Sequence, residues 1–75
     1  MDRYVIVLVS NNGLSDKEYH SRLRELWRLA AKFNFEPHGF SSVFTGPDGL
    51  NLEMFLIFLE SMNLKYYVEK GDGFA

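Results

Sequence analysis

An α+β fold, with two helices laid on one face of an antiparallel sheet, is what this 75-residue chain predicts. Three observations carry that expectation. Tyr4-Val5-Ile6-Val7-Leu8-Val9 is an unbroken β-branched and aliphatic run, the pattern of a strand with apolar side chains on both faces. Tyr19, Leu23, Leu26, Trp27, Ala30 and Phe33 recur at i, i+3, i+4 spacing, the apolar stripe of an amphipathic helix. Thr45-Gly46-Pro47-Asp48-Gly49 marks a reversal, after which Leu52 to Met62 has the length and apolar content of a second helix.

The elements follow in order. After the opening strand, Ser10-Asn11-Asn12-Gly13 is a turn in which Gly13 or Asn12 supplies a positive φ. Ser15 with Glu18 three residues on is a capping-box pattern, so the first helix should begin near Asp16. From Phe33 the composition turns aromatic and β-branched through Phe35, Phe40, Val43 and Phe44, which predicts one or two strands with a kink at Pro37-His38-Gly39. Pro47 suits the second position of a type I turn. In the second helix Leu52, Phe55, Leu56, Leu59 and Met62 form the inner stripe, while Met54, Ile57 and Phe58 fall outside it. A helix this apolar all round is usually covered on more than one side. Leu64 to Glu69 reads as a last strand with Leu64, Tyr66 and Val68 on one face, and a polar tail follows from about residue 70. The order β, α, split β, α, β is that of a ferredoxin-like two-layer sandwich in a single domain spanning 1–75.

Composition narrows the function classes without naming one. Hydrophobic residues at 47% and aromatics at 16% exclude a disordered tail. No stretch approaches the ~20 apolar residues that span a bilayer, and the opening run is too short for a secretory signal, so a soluble, cytoplasmic protein with no membrane contact is expected. The net charge of −2 disfavours nonspecific nucleic-acid binding, although residues 1–32 carry six Lys/Arg against four Asp/Glu and residues 33–75 carry two against six. A domain this small is marginal in stability unless something is added, and with no cysteine the expected addition is self-association or a partner.

Two helices can cover only one face of the sheet. The opening strand, apolar on both faces and central in such a fold, would then leave Val or Ile/Leu side chains in water. Apolar burial contributes about 25 cal/mol per Å², so a few hundred Å² would drive association. A homodimer or a protein partner is therefore expected, with an interface at Val5, Val7 and Val9 of the open face together with Met54, Ile57 and Phe58 of the second helix. The expected function is a non-enzymatic interaction module, a small adaptor or inhibitor.

The opening strand, the amphipathic helix, Ser42-Val43-Phe44-Thr45-Gly46 at a strand end, and the closing helix and short strand together resemble the small ferredoxin-like subunit of the CRISPR spacer-acquisition integrase. They also resemble virulence-associated protein D-like folds. That family ends its first strand in an aspartate proposed to bind metal at the dimer axis. Here Ser10 stands in that place, followed by Asn11 and Asn12. A neutral hydroxyl is a poor ligand for a hard divalent cation. The resemblance therefore implies a dimer without metal-dependent nuclease activity.

Candidate chemistry is sparse. His20 and His38 are not at ligand spacing, no Gly-x-Ser-x-Gly elbow exists, and the Ser10–Gly13 loop has one glycine and no lysine for a phosphate. No catalytic, cofactor or metal residue is assigned. The competing reading is nucleic-acid binding or processing, as by a nuclease-like protein of the integrase-subunit type, through Lys17, Arg24, Arg28 and Lys32, which fall opposite the apolar stripe of the first helix, helped by the Phe40 and Tyr67 aromatics.

Overall fold

A computed structural model describes residues 4–38 and 42–71. It shows an α+β two-layer sandwich, a four-stranded antiparallel sheet with two helices on one face. The elements are β1 (Tyr4–Ser10), α1 (Asp16–Leu29) running into a 3-10 turn (Ala30–Phe33), β2 (Glu36–Pro37), β3 (Val43–Pro47), α2 (Leu50–Ser61) and β4 (Lys65–Gly71). The strand order is β2-β3-β1-β4, with every neighbouring pair antiparallel. This order and helix count are those of a ferredoxin-like sandwich.

Local chemistry explains most boundaries. Ser15 takes an extended backbone and its hydroxyl accepts the Glu18 amide at 3.2 Å, so α1 starts at the residue after it. The loop before it closes on itself, because Asn11 Oδ1 accepts the Leu14 amide at 2.8 Å and Asn11 Nδ2 donates to the Leu14 carbonyl at 2.9 Å. Gly13 takes the positive φ there. The helical stretch after α1 ends at Asn34 and α2 gives way to β4 through Asn63, both in the left-handed region with φ of 61° and 59°. Asparagine tolerates that conformation better than most residues, and these two stops carry no glycine to announce them.

Side chains opposite each other across an antiparallel pair share a face. Val7 lies opposite Phe44 on β3 and Val68 on β4, and Val9 lies opposite Tyr66. Val5, Val7, Val9 and Phe44 are buried in one cluster with Leu26 and Ala30 and with Leu52, Phe55 and Leu59 of α2. Phe55 is its centre. Its ring stacks on Phe35 at 4.5 Å between centroids, meets Phe44 edge-on at 5.6 Å and touches Phe33 at 5.7 Å. The Phe35 ring lies directly over Gly46, where a Cβ would come within 2.6 Å of ring carbons. At Gly46 the strand requires the absence of a side chain.

Several expectations shift. The kinked segment forms two strands, within the one or two expected, and β2 is joined to β3 by the His38 amide donating to the Val43 carbonyl; Gly39 and Phe40 lie outside the described residues. Pro47 is still in β3, opposite Tyr4, so the reversal falls on Asp48 and Gly49, the latter at φ 114°. α2 begins at Leu50. Lys70 and Gly71, expected in the polar tail, instead pair with Val5 and Tyr4 as part of β4. Lys70 is held there by Asp48 at 3.4 Å.

Candidate functional site

The sheet face away from the helices is built by the other half of the alternation. Leu8 lies between Val43 on β3 and Tyr67 on β4, Ile6 between Thr45 and Glu69, and Tyr4 between Pro47 and Gly71. Glu36 extends the middle row beyond Thr45, and Ser10 faces Lys65 at one end. Leu8 is 39% exposed and Tyr67 60%, and nothing among the described residues covers them. The result is an apolar band of Tyr4, Ile6, Leu8, Val43 and Tyr67 with carboxylates on two sides and an ammonium at a corner.

This face is open, yet it is not the one expected. Val5, Val7 and Val9 are buried under the helices and present nothing to a partner, since α1 and α2 both pack on their side of β1. The period-2 pattern marks two faces but does not rank them. On β1 alone the two sets are equally apolar. The ranking emerges from the neighbours: the buried set lies beside Phe44 and Val68, while the open set shares its rows with Thr45, Glu36, Glu69 and Lys65. That signal is readable in the sequence only once the register is known.

The α2 residues also divide. Met54 and Ile57 are exposed, the latter 64%, and with Leu50 they line one stripe of α2 at i, i+4, i+7. Phe58, expected beside them, is half-buried and packs on Phe33 at 5.7 Å. α2 sits on the buried side of the sheet, so Met54 and Ile57 belong to the opposite surface of the molecule from Leu8 and Tyr67. The single interface expected from the sequence is two separate surfaces.

The basic residues of α1 stand as the periodicity implies. Lys17, Arg24 and Arg28 are exposed on the side away from the sheet, Lys32 is exposed in the 3-10 turn, and none has an ion-pair partner among the described residues. Arg22 differs. Its guanidinium donates to the Met62 carbonyl and pairs with Glu18 at 3.6 Å, which ties α1 to the end of α2. Asn12 and Asn63 join the neighbouring loops through their side chains at 3.2 Å. Neither link was foreseen, and no local pattern announces a contact between residues this far apart in sequence.

The remaining polar groups offer little chemistry. Among the described residues no three His, Cys, Asp or Glu side chains gather as metal ligands. His20 Nδ1 bonds the Asp16 carbonyl at 2.8 Å, and His38 Nε2 bonds Thr45 Oγ1 at 3.2 Å. Tyr66 Oη donates to Glu60 Oε2 at 2.6 Å, and that bond, aided by partial burial and the carboxylate's charge, holds the phenol's pKa above its usual value. A depression of about 420 Å³ beside Tyr4, Asn34, Glu36 and Thr45 contains a single carboxylate and nominates no ligand. Among the described residues no helix is long and apolar enough to cross a membrane. Compared with known proteins, the chain matches no family model, no curated protein and no solved structure.

Proposed function

We propose that this protein is a binding module, with no catalytic role, that docks on a protein partner through the open face of its sheet. The observation that carries the reading is the exposed pair Leu8 and Tyr67, set beside Tyr4, Ile6 and Val43 on a face that neither helix covers. A rigid sheet holds these side chains in place before binding, so little conformational entropy is lost when a partner arrives. Aromatic anchors with a charged rim are the composition of protein-binding surfaces. The rim carboxylates Glu36 and Glu69 favour a partner with basic groups around an apolar centre.

The test places a photo-crosslinking residue at Thr45, inside the band, and recovers partners from cells expressing the full chain. Partner recovery is expected to fall sharply in Leu8→Ser with Tyr67→Ser, while circular dichroism and the urea midpoint stay near those of the parent. Unchanged recovery in that double variant would overturn the reading.

A second reading is favoured by the exposed basic ridge of Lys17, Arg24, Arg28 and Lys32, which makes no ion pair among the described residues and suits a phosphate backbone. It predicts RNA or DNA binding that weakens steeply with salt and is lost in Arg24→Ala with Arg28→Ala. Absence of binding at low salt disposes of it.

A further inference from the structure

The two edges of the sheet are guarded differently. β2, at one edge, is two residues long and contains Pro37. Short strands and proline are the usual devices that stop an edge from pairing with another chain. β4, at the other edge, is seven residues long, has no proline and stays in unbroken register with β1 from Lys65 to Gly71. Among the described residues no strand lies on its outer side, so a row of backbone donors and acceptors is left unpaired there.

Its side chains are arranged to suit one partner. Lys70 is spent on Asp48, but Lys65 and Glu69 make no ion pair among the described residues. They lie four residues apart on the open face, with Tyr67 midway between them. The strand therefore reads cation, aromatic, anion along one face. That pattern is its own complement when reversed.

We infer that β4 pairs antiparallel with β4 of a second copy of this chain, about a twofold axis at Tyr67, joining two four-stranded sheets into one. In this register Lys65 lies opposite Glu69 of the second copy and Glu69 opposite its Lys65, while the two Tyr67 rings face each other. On the helix side Tyr66 lies opposite Val68 of the second copy. Opposite-charge, aromatic–aromatic and aromatic–β-branched pairs are the combinations that stabilise antiparallel strands. Centring the axis on Val68 instead sets Tyr67 against Glu69 and leaves Lys65 against Gly71. A parallel pairing sets lysine beside lysine. The charge pattern thus selects the partner, the direction and the register together. This goes beyond the open-face reading and does not rest on it, because edge and face are different surfaces; the pairing would lay two open bands side by side as one continuous platform.

Sedimentation of the full chain across a concentration series tests the inference. The parent is expected to be a dimer at about 100 µM, a concentration at which even a weak edge contact is populated. Lys65→Glu and Glu69→Lys should each weaken dimerisation about tenfold, because both symmetry-related pairs become like-charged. An equimolar mixture of the two variants should recover association, since one then brings only carboxylates and the other only ammonium groups to the facing positions. Recovery on mixing also shows that neither variant is misfolded. A monomeric parent, or charge variants that dimerise like the parent, or a mixture that stays monomeric, each overturns the inference. A dimer lost in Leu8→Ser and kept in the charge variants would place self-association on the open face instead.

Discussion

On β1 two sets of three apolar residues alternate, and they meet opposite fates. Val5, Val7 and Val9 are buried beneath α1 and α2, whereas Tyr4 and Leu8 remain more than a third exposed on the other side of the same strand. Hydrophobicity does not separate the sets, since Leu8 is more apolar than Val7. What separates them is the side on which both helices pack. A face becomes core when other elements cover it, and the same residue types become a surface when nothing does.

The sharpest way to break this comparison is to truncate one large apolar side chain on each side. Phe55→Ala empties the centre of the buried face, where the ring meets Phe33, Phe35 and Phe44, and should cost about 3–5 kcal/mol in urea unfolding. Leu8→Ala, on the open face, should cost about 0.5 kcal/mol or less. Equal losses would show that the open face is covered in the isolated protein. Gly46→Ala probes the buried side from the sheet upward. The new methyl collides with the Phe35 ring, and overpacking of this kind should cost about 1–3 kcal/mol. Combining it with Phe35→Leu should cost less than the sum of the two changes, because the narrower side chain vacates the space. Simple additivity would remove the contact as the cause.

The smallest effect concerns Tyr66, whose ring is on the helix side while its hydroxyl reaches Glu60 at the surface. Its pKa is raised in the folded state, chiefly by that hydrogen bond. A raised pKa means that the native state holds the proton more tightly. The stabilisation is then fully present below the unfolded tyrosine pKa of about 10 and is lost as pH rises through the higher folded value. Tyr66→Phe should lower stability slightly at neutral pH, where the hydrogen bond is intact in the parent, and flatten the alkaline loss, so that the two proteins converge at high pH, as followed by thermal melts. An identical alkaline limb in the variant would assign the loss to other groups.

Much of the fold was legible. Ser15 and Glu18 fixed the start of α1 because a cap acts within one turn, and the stripe from Tyr19 to Phe33 foretold its buried side because helical periodicity is local geometry. The site was less legible. Assigning the interface to Val5, Val7 and Val9 failed because alternation marks two faces and leaves their ranking to register. Placing Met54 and Ile57 on that same interface failed because a helix wheel shows which residues share a side of α2, but not which side of the sheet α2 occupies.

By itself the sequence determined the element order, the α1 cap and stripe, and a surplus of apolar residues over what two helices can cover. Each is set by spacing along the chain, where neighbouring residues interact without help. The tertiary structure alone decided which half of β1 lies away from the helices, that Gly46 yields its space to Phe35, and that β4 is an edge strand whose Lys65 and Glu69 make no ion pair among the described residues. Those depend on register and on where the helices land. Both are outcomes of packing between distant segments, which no local pattern contains.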